Sequence, residues 1–194
     1  MSQVTAQISM SLDGFVTVPT VRAGNGMGDG GERIHDWMFD AKTDADARIT
    51  EENFASTGAV IIGKGMFEVG YEPWGDPPPF GMPVFILTHH ARESLLMEGG
   101  TTYHFVTGGI DDALAQALVA AGGKNVGVWG GADIIRQYLR AGLLDELQIH
   151  LAPILLGDGI RLFEGLDFEG IELRKTESLD TPAATHLRFK VTTR

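Results

Sequence analysis

The stretch Asn125–Leu144, NVGVWGGADIIRQYLRAGLL, restricts the folds open to this chain more than any other. A short apolar run, Val126-Gly127-Val128-Trp129, stops at Gly130-Gly131, and an amphipathic segment begins at once. Ile134, Ile135, Tyr138 and Leu139 fall on one side of a helix, while Asp133, Arg136, Gln137 and Arg140 point elsewhere. Gly142 supplies a C-terminal stop. The pattern is strand, glycine turn, helix. Glycines let the backbone turn sharply and let a ligand approach without meeting a Cβ atom. The free N–H groups of the first helical turn, together with the helix dipole, then favour an anion, most often a phosphate. The plain alternative is a tight turn with no ligand.

The rest of the chain repeats that grammar. Val4–Ser9 reads as a first strand, followed by the turn signal Ser11-Leu12-Asp13-Gly14. Residues 17–31 form a glycine-rich stretch that reads as a binding loop or lid, or else as a surface insertion. Glu32–Phe39 gathers acidic, imidazole and aromatic groups, and Trp37 is expected to pack in the core. Ala41–Phe54 is polar and helix-capable, with Asp44, Asp46, Glu51 and Glu52 on a solvated face. Gly58–Ile62 is a short buried strand that runs into Gly63-Lys64-Gly65, a second strand–glycine–helix junction. Tyr71–Met82 is a proline-rich loop expected to continue neither helix nor sheet. Pro83–Leu87 is the next strand, followed by Thr88-His89-His90-Ala91-Arg92. Tyr103–Val106 is a strand, and Ile110–Ala121 a helix whose early Asp111 and Asp112 make the junction before it a structural one. In the strand Leu147–Leu151, Gln148 and His150 share a face; His150 reads equally as a cleft-facing polar residue or a hydrogen-bonded structural one. Ile171–Leu179 and Ala184–Thr193 form a hairpin with Leu187, Phe189 and Val191 inward and His186, Arg188 and Lys190 outward.

The ordered blocks ISMSLDG (Ile8–Gly14), AVIIGKGMFE (Ala59–Glu68), WGGADIIRQYL, AGLLDEL, PILLGDG and RLF resemble the dihydrofolate-reductase-like family. The resemblance is strongest to the branch that includes the reductase domain of bacterial riboflavin biosynthesis, and it covers nearly the whole chain. It implies a three-layer α/β/α domain with a mixed, mostly parallel central sheet and a C-terminal antiparallel hairpin, here one domain over residues 1–194. It also implies NADPH as cofactor, with NADH as a possible substitute. In this frame Gly130, Gly131 and Ala132 hold the pyrophosphate, with backbone N–H groups doing most of the phosphate binding and Asp133, where the family often carries Arg, placed to hydrogen-bond a ribose hydroxyl. Gly63, Lys64, Thr88, His89 and Arg92 meet the adenosine end. Ser9, Val16 and Asp13 flank the nicotinamide, although Asp13 reads equally as the shaper of an Asp-Gly turn. Asp36 is the first choice for orienting substrate or relaying a proton, followed by Asp13 and His150. Lys64 and Met66 stand where the family carries Arg and Thr, which weakens the preference for NADPH.

Composition narrows the function further. The formal net charge of −11 argues against a general nucleic-acid binder, and any anionic cofactor must be held by a local positive cluster. There are no cysteines, so thiolate metal sites and disulfides are excluded. A metal at His89-His90 is not expected, because adjacent residues do not share a face. No apolar run reaches the roughly 18 residues of a membrane span, and no signal peptide is evident, so a cytoplasmic enzyme is expected. No GxGxxG, GxxxxGK[ST] or GxSxG motif is present. The sequence thus points to an NADPH-dependent reductase that transfers hydride to a small heterocyclic or ribosylamino-pyrimidine-like substrate, working as a homodimer. The competing reading is a non-catalytic ligand-binding module with a reductase-like shell.

Overall fold

The computed structural model describes residues 2–40, 42–166 and 170–193. In chain order the elements are β1 (Val4–Ser11), β2 (Phe15–Thr17), a 3-10 turn (Gly31–His35), α1 (Asp44–Ser56), β3 (Thr57–Gly63) and α2 (Lys64–Trp74). There follow β4 (Pro83–Leu87), β5 (Leu95–Leu96), β6 (Thr102–Val106), α3 (Gly109–Ala120), β7 (Asn125–Gly130) and α4 (Ala132–Arg140). The chain closes with β8 (Glu146–Ala152), β9 (Ile160–Arg161), β10 (Ile171–Asp180) and β11 (Thr185–Thr193).

One sheet of nine strands runs in the order β10-β11-β8-β1-β7-β3-β4-β6-β5. The strands β8, β1, β7, β3, β4 and β6 pair in parallel, and β11 returns antiparallel on β8 with β10 beside it. A small antiparallel pair, β2 with β9, lies apart. Alternate residues along the strands sort the helices onto two faces. Ala59, Ile61, Phe85 and Val128 pack with Ala113, Leu114, Ile134 and Ile135 of α3 and α4. Val60, Ile62, Val84 and Ile86 pack with Phe67 of α2 on the other side.

That second face changes character along the sheet. Under α2 it is apolar and aromatic, but under α1 it carries Ser9, Gln148, His150 and His186, all buried. The helix α1 is matched to it. Thr43 and Asp46 form a reciprocal capping box at its start, and Asn53 donates to Gln7 at 2.6 Å and to Gln148 at 3.2 Å.

Several expectations from the sequence change here. Asp46 and His186, read as solvated, are buried. Each does lie on the polar side of its element, but that side is roofed by α1 rather than by water. Phe39, one of the aromatic groups gathered in Glu32–Phe39, is exposed. The helix α2 runs on through Tyr71 to Trp74 with Pro73 in its last turn, because the Trp74 ring folds over Gly70, where any Cβ would collide with it. The expected helix over Ala41–Phe54 begins instead at Asp44, and Ala41 itself lies outside the described residues.

Candidate functional site

Parallel pairing sets the carboxyl ends of β7, β3 and β4 side by side, because Ile62 pairs with Gly130 and Gly63 with Leu87. The junctions Gly130-Gly131, Gly63-Lys64 and Thr88-His89 therefore form one row along the sheet edge. Gly130 has φ 120°, a value only glycine adopts easily, and the Gly130–Gly131 peptide is cis. A Cβ on Gly130 would meet the Met66 sulfur at 3.4 Å, whereas one on Gly131 would meet nothing within 4 Å. Gly131 is exposed and caps α4, its carbonyl accepting from Ile134 and Ile135. The amide end of α4 thus opens onto free space, and Ala132 behind it is buried against the core.

The charges around that opening are already partly answered. Asp133 accepts from Gln137 at 2.7 Å and lies 3.7 Å from Arg136, so its carboxylate is drawn along the helix. Lys64 pairs with Glu68 at 2.6 Å. Arg92 lies over the Phe105 ring at 4.9 Å, and Thr88 accepts the His90 amide. His89 is exposed. Gly63 has a packing role as well, because a Cβ there would press on Ile134 at 2.9 Å. At the neighbouring β6–α3 junction, the Asp112 side chain occupies the space over Gly108 that a Cβ would need.

Beside this row the sheet opens. β1 pairs with β7 only at Val4↔Val126, Thr5↔Gly127 and Ala6↔Val128. It continues along β8 as far as Ser11↔Ala152. The upper half of β1 thus makes no ladder with β7, and that break in the ladder between Ser9 and the glycine turn is the candidate cleft. Asp13 stands at the mouth. It accepts from the Ser11 hydroxyl at 2.6 Å, the Leu156 amide at 3.2 Å and the Gly157 amide at 2.8 Å. The Ser11 hydrogen bond, aided by those amides, outweighs desolvation and holds the carboxyl below its usual range. Asp13 therefore latches the loop after β8 to the loop after β1, and both of its oxygens are engaged. Val16 is buried behind it.

Deeper in lies a cluster that sequence reasoning missed as a unit. Trp37 is 1% exposed, and its Nε1 donates to Ser9 Oγ at 3.0 Å. Its ring lies 4.3 Å from that of His150 and 4.9 Å from that of His186. His150 Nδ1 and His186 Nδ1 are 2.8 Å apart, and His186 Nε2 is 2.8 Å from Asp46 Oδ1. Burial, then repulsion from His186, His35 and Arg188, push His150 down to about 3 despite the opposing pull of Asp46. Burial pushes His35 down to about 4. Burial alone would raise Asp46, but hydrogen bonds from Thr43 and His186 outweigh it and hold the carboxylate below its ordinary range. Asp36, half-buried, directly precedes Trp37 and ends the 3-10 turn, its amide donating to Arg33. A separate groove of about 610 Å³ opens at the opposite edge, where Thr57, Gly58 and Pro83 begin their strands, and none of the candidate site residues lines it.

The sequence matches the RibD C-terminal domain family over residues 2–187, and the chain belongs to that family. It is 49% identical over 51 residues to the riboflavin biosynthesis protein RibD of Corynebacterium ammoniagenes, a match spanning 26% of this chain and only 15% of that protein. A candidate riboflavin biosynthesis protein from Shewanella sp. PV-4 superposes with a TM-score of 0.74 at 21% identity, covering 98% of this chain and 99% of the other. Dihydrofolate reductase from Enterococcus faecalis superposes with a TM-score of 0.59 at 14% identity, covering 99% of this chain and 96% of the other. The fold is therefore that of the dihydrofolate-reductase-like domains, and the family is one of reductases.

Proposed function

We propose that this domain uses NADPH, with NADH as a weaker substitute, to reduce a small heterocyclic or ribosylamino-pyrimidine-like substrate. The observation that carries the reading is the open amide end of α4 behind Gly131, in a row with the ends of β3 and β4. A dinucleotide's phosphates need main-chain donors with no Cβ in the way, and that is what this edge offers. When bound, the nicotinamide supplies hydride chemistry. The chain's own residues then bind, orient and exclude water. Gly130, Gly131 and Ala132 hold the phosphate bridge. Lys64, Thr88, His89 and Arg92 meet the adenosine end. Ser9, Asp13 and Val16 border the cleft, where the Asp13 latch fixes the loop over it. Asp36 and His150 are the groups proposed to orient substrate or manage its proton.

A second reading, a ligand-binding shell without turnover, draws on the Lys64–Glu68 pair, which spends the positive charge meant for a phosphate. Titration of tryptophan fluorescence with NADPH and NADH separates the two. Quenching that saturates below millimolar NADPH, with weaker NADH, supports the reductase. No response to either at millimolar levels favours the shell. A homodimer in the cytoplasm belongs to the same proposal, and light scattering reads the dimer directly.

A further inference from the structure

We propose that Asp46, His186 and His150 form a proton relay whose exchanging atom is Nε2 of His150, so that His186 and Asp46 are positioning residues for an acid at the cleft. Its catalytic use rests on the reductase reading above.

The hydrogen-bond chain dictates the tautomers. Asp46 is an acceptor; its Oδ2 already takes the Thr43 amide and hydroxyl at 2.7 and 2.6 Å. Its Oδ1 must therefore receive the proton of His186 Nε2. In the neutral pair that leaves His186 Nδ1 a bare acceptor. His150 Nδ1 must then donate across the 2.8 Å contact, which strips Nε2 of its proton. His150 Nε2 is buried and has no hydrogen-bond partner among the described residues. A buried ring nitrogen without a partner is costly, and the residue that carries it is paired with Ser9 across β1 and β8.

Adding one proton reverses the hydrogen bond between the two rings, while His186 Nε2 goes on donating to Asp46. A proton taken at His150 Nε2 makes that ring a cation, and its surroundings penalise a charge there. The ring relieves this by passing its Nδ1 proton to His186. The charge then rests on His186, whose Nε2–H faces the Asp46 carboxylate. In the reduction the sequence runs backwards. A bound nicotinamide would supply hydride to a substrate double bond, and the substrate heteroatom left behind would need a proton. The Nε2–H bond of His150 breaks, its electron pair stays on the nitrogen, and the proton bonds to the heteroatom. His186 returns its Nδ1 proton to His150, and both rings end neutral. A crevice of about 30 Å³, lined by Ile49, Glu52, Gln148, His150 and His186 among others, admits about one water and gives solvent protons a way back in.

Other charges face the pair from every neighbouring element: Glu52 from α1, Glu177 from β10, Arg188 from β11 and His35 from the 3-10 turn. Arg188 is held between Glu146 and Glu177 at 3.4 Å each.

The test is nitrogen NMR of the histidine side chains in the full chain. The wild type is expected to show His150 as the Nδ1–H tautomer with a bare Nε2. Asp46→Asn, which weakens the acceptor of the His186 Nε2 proton, should let the Nε2–H form of His150 appear alongside the Nδ1–H form. His186→Phe should return His150 to the Nε2–H form, and this variant decides the matter alone if Asp46→Asn does not fold. A proton on Nε2 of His150 in the neutral wild type, an Asp46→Asn tautomer ratio that does not move, or an unchanged tautomer in His186→Phe overturns the relay. Failure to bind NADPH would instead remove the reductase reading and leave the tautomer result standing.

Discussion

The two halves of the cleft are built by opposite means. On the β7, β3 and β4 side, function is prepared by leaving side chains out: Gly131 faces open space and the donors are main chain. On the β1, β8 and β11 side, it is prepared by packing polar side chains in until Ser9, Trp37, His150, His186 and Asp46 are all buried and, His150 Nε2 apart, partnered. The contrast suggests a division of labour. A carrier that must come and go meets an open, rigid edge, whereas proton handling is kept in a dry interior, where each hydrogen bond is electrostatically stronger.

Acid should strike the packed half hardest. His150 and His35 have folded values near 3 and 4, below the ordinary 6.5. Between these limits the unfolded chain binds more protons than the folded one, so stability falls as pH drops below 6.5. The two together should cost on the order of 4 kcal/mol by about pH 5. Chemical denaturation across pH should show this slope, and His35→Phe should remove roughly half of it. Gly131→Val addresses the open half. Its Cβ meets no neighbour, so the melting temperature should hardly move, while NADPH affinity falls at least about 100-fold, roughly 3 kcal/mol. An unchanged affinity would move the phosphate site elsewhere.

Asp46→Ala should cost about 2–3 kcal/mol in urea unfolding, by losing the helix cap and leaving His186 Nε2 unpaired in the interior. Trp37→Phe, which deletes the hydrogen bond to Ser9 and leaves a cavity where part of the indole packed, should cost about 2 kcal/mol. Smallest of all, Glu68→Gln frees Lys64 and should tighten NADPH about twofold to fivefold without affecting NADH, as expected for an exposed pair. Equal gains for both nucleotides would mean Lys64 does not approach the 2′-phosphate.

The open half was readable because glycine is a local signal. Gly130-Gly131 and Gly63-Lys64 announce their turns within a few residues, and parallel pairing then places the turns side by side. The packed half was not readable. Each member looks ordinary in its own window: Asp46 an acid on a polar helix, His186 a polar residue on the outer face of a hairpin, Trp37 a core aromatic. Residues 9, 37, 46, 150 and 186 come together only because α1 lies across the sheet and covers the polar face. Periodicity tells which face a residue takes, but not whether a second layer sits on that face. The helix α2 teaches the same lesson on a smaller scale, since Trp74 over Gly70 keeps Tyr71–Trp74 helical despite Pro73.

The short pairing between β1 and β7 has a mechanical side. Rungs at Val4, Thr5 and Ala6 are the ladder joining the leaf that carries the histidines to the leaf that carries the glycine turns. A bound molecule spanning that seam would act as an added rivet. Amide exchange along Val4–Ala6 and Val126–Val128 would then slow on binding more than anywhere deep in either leaf, making the spine of the sheet a gauge of what the cleft holds.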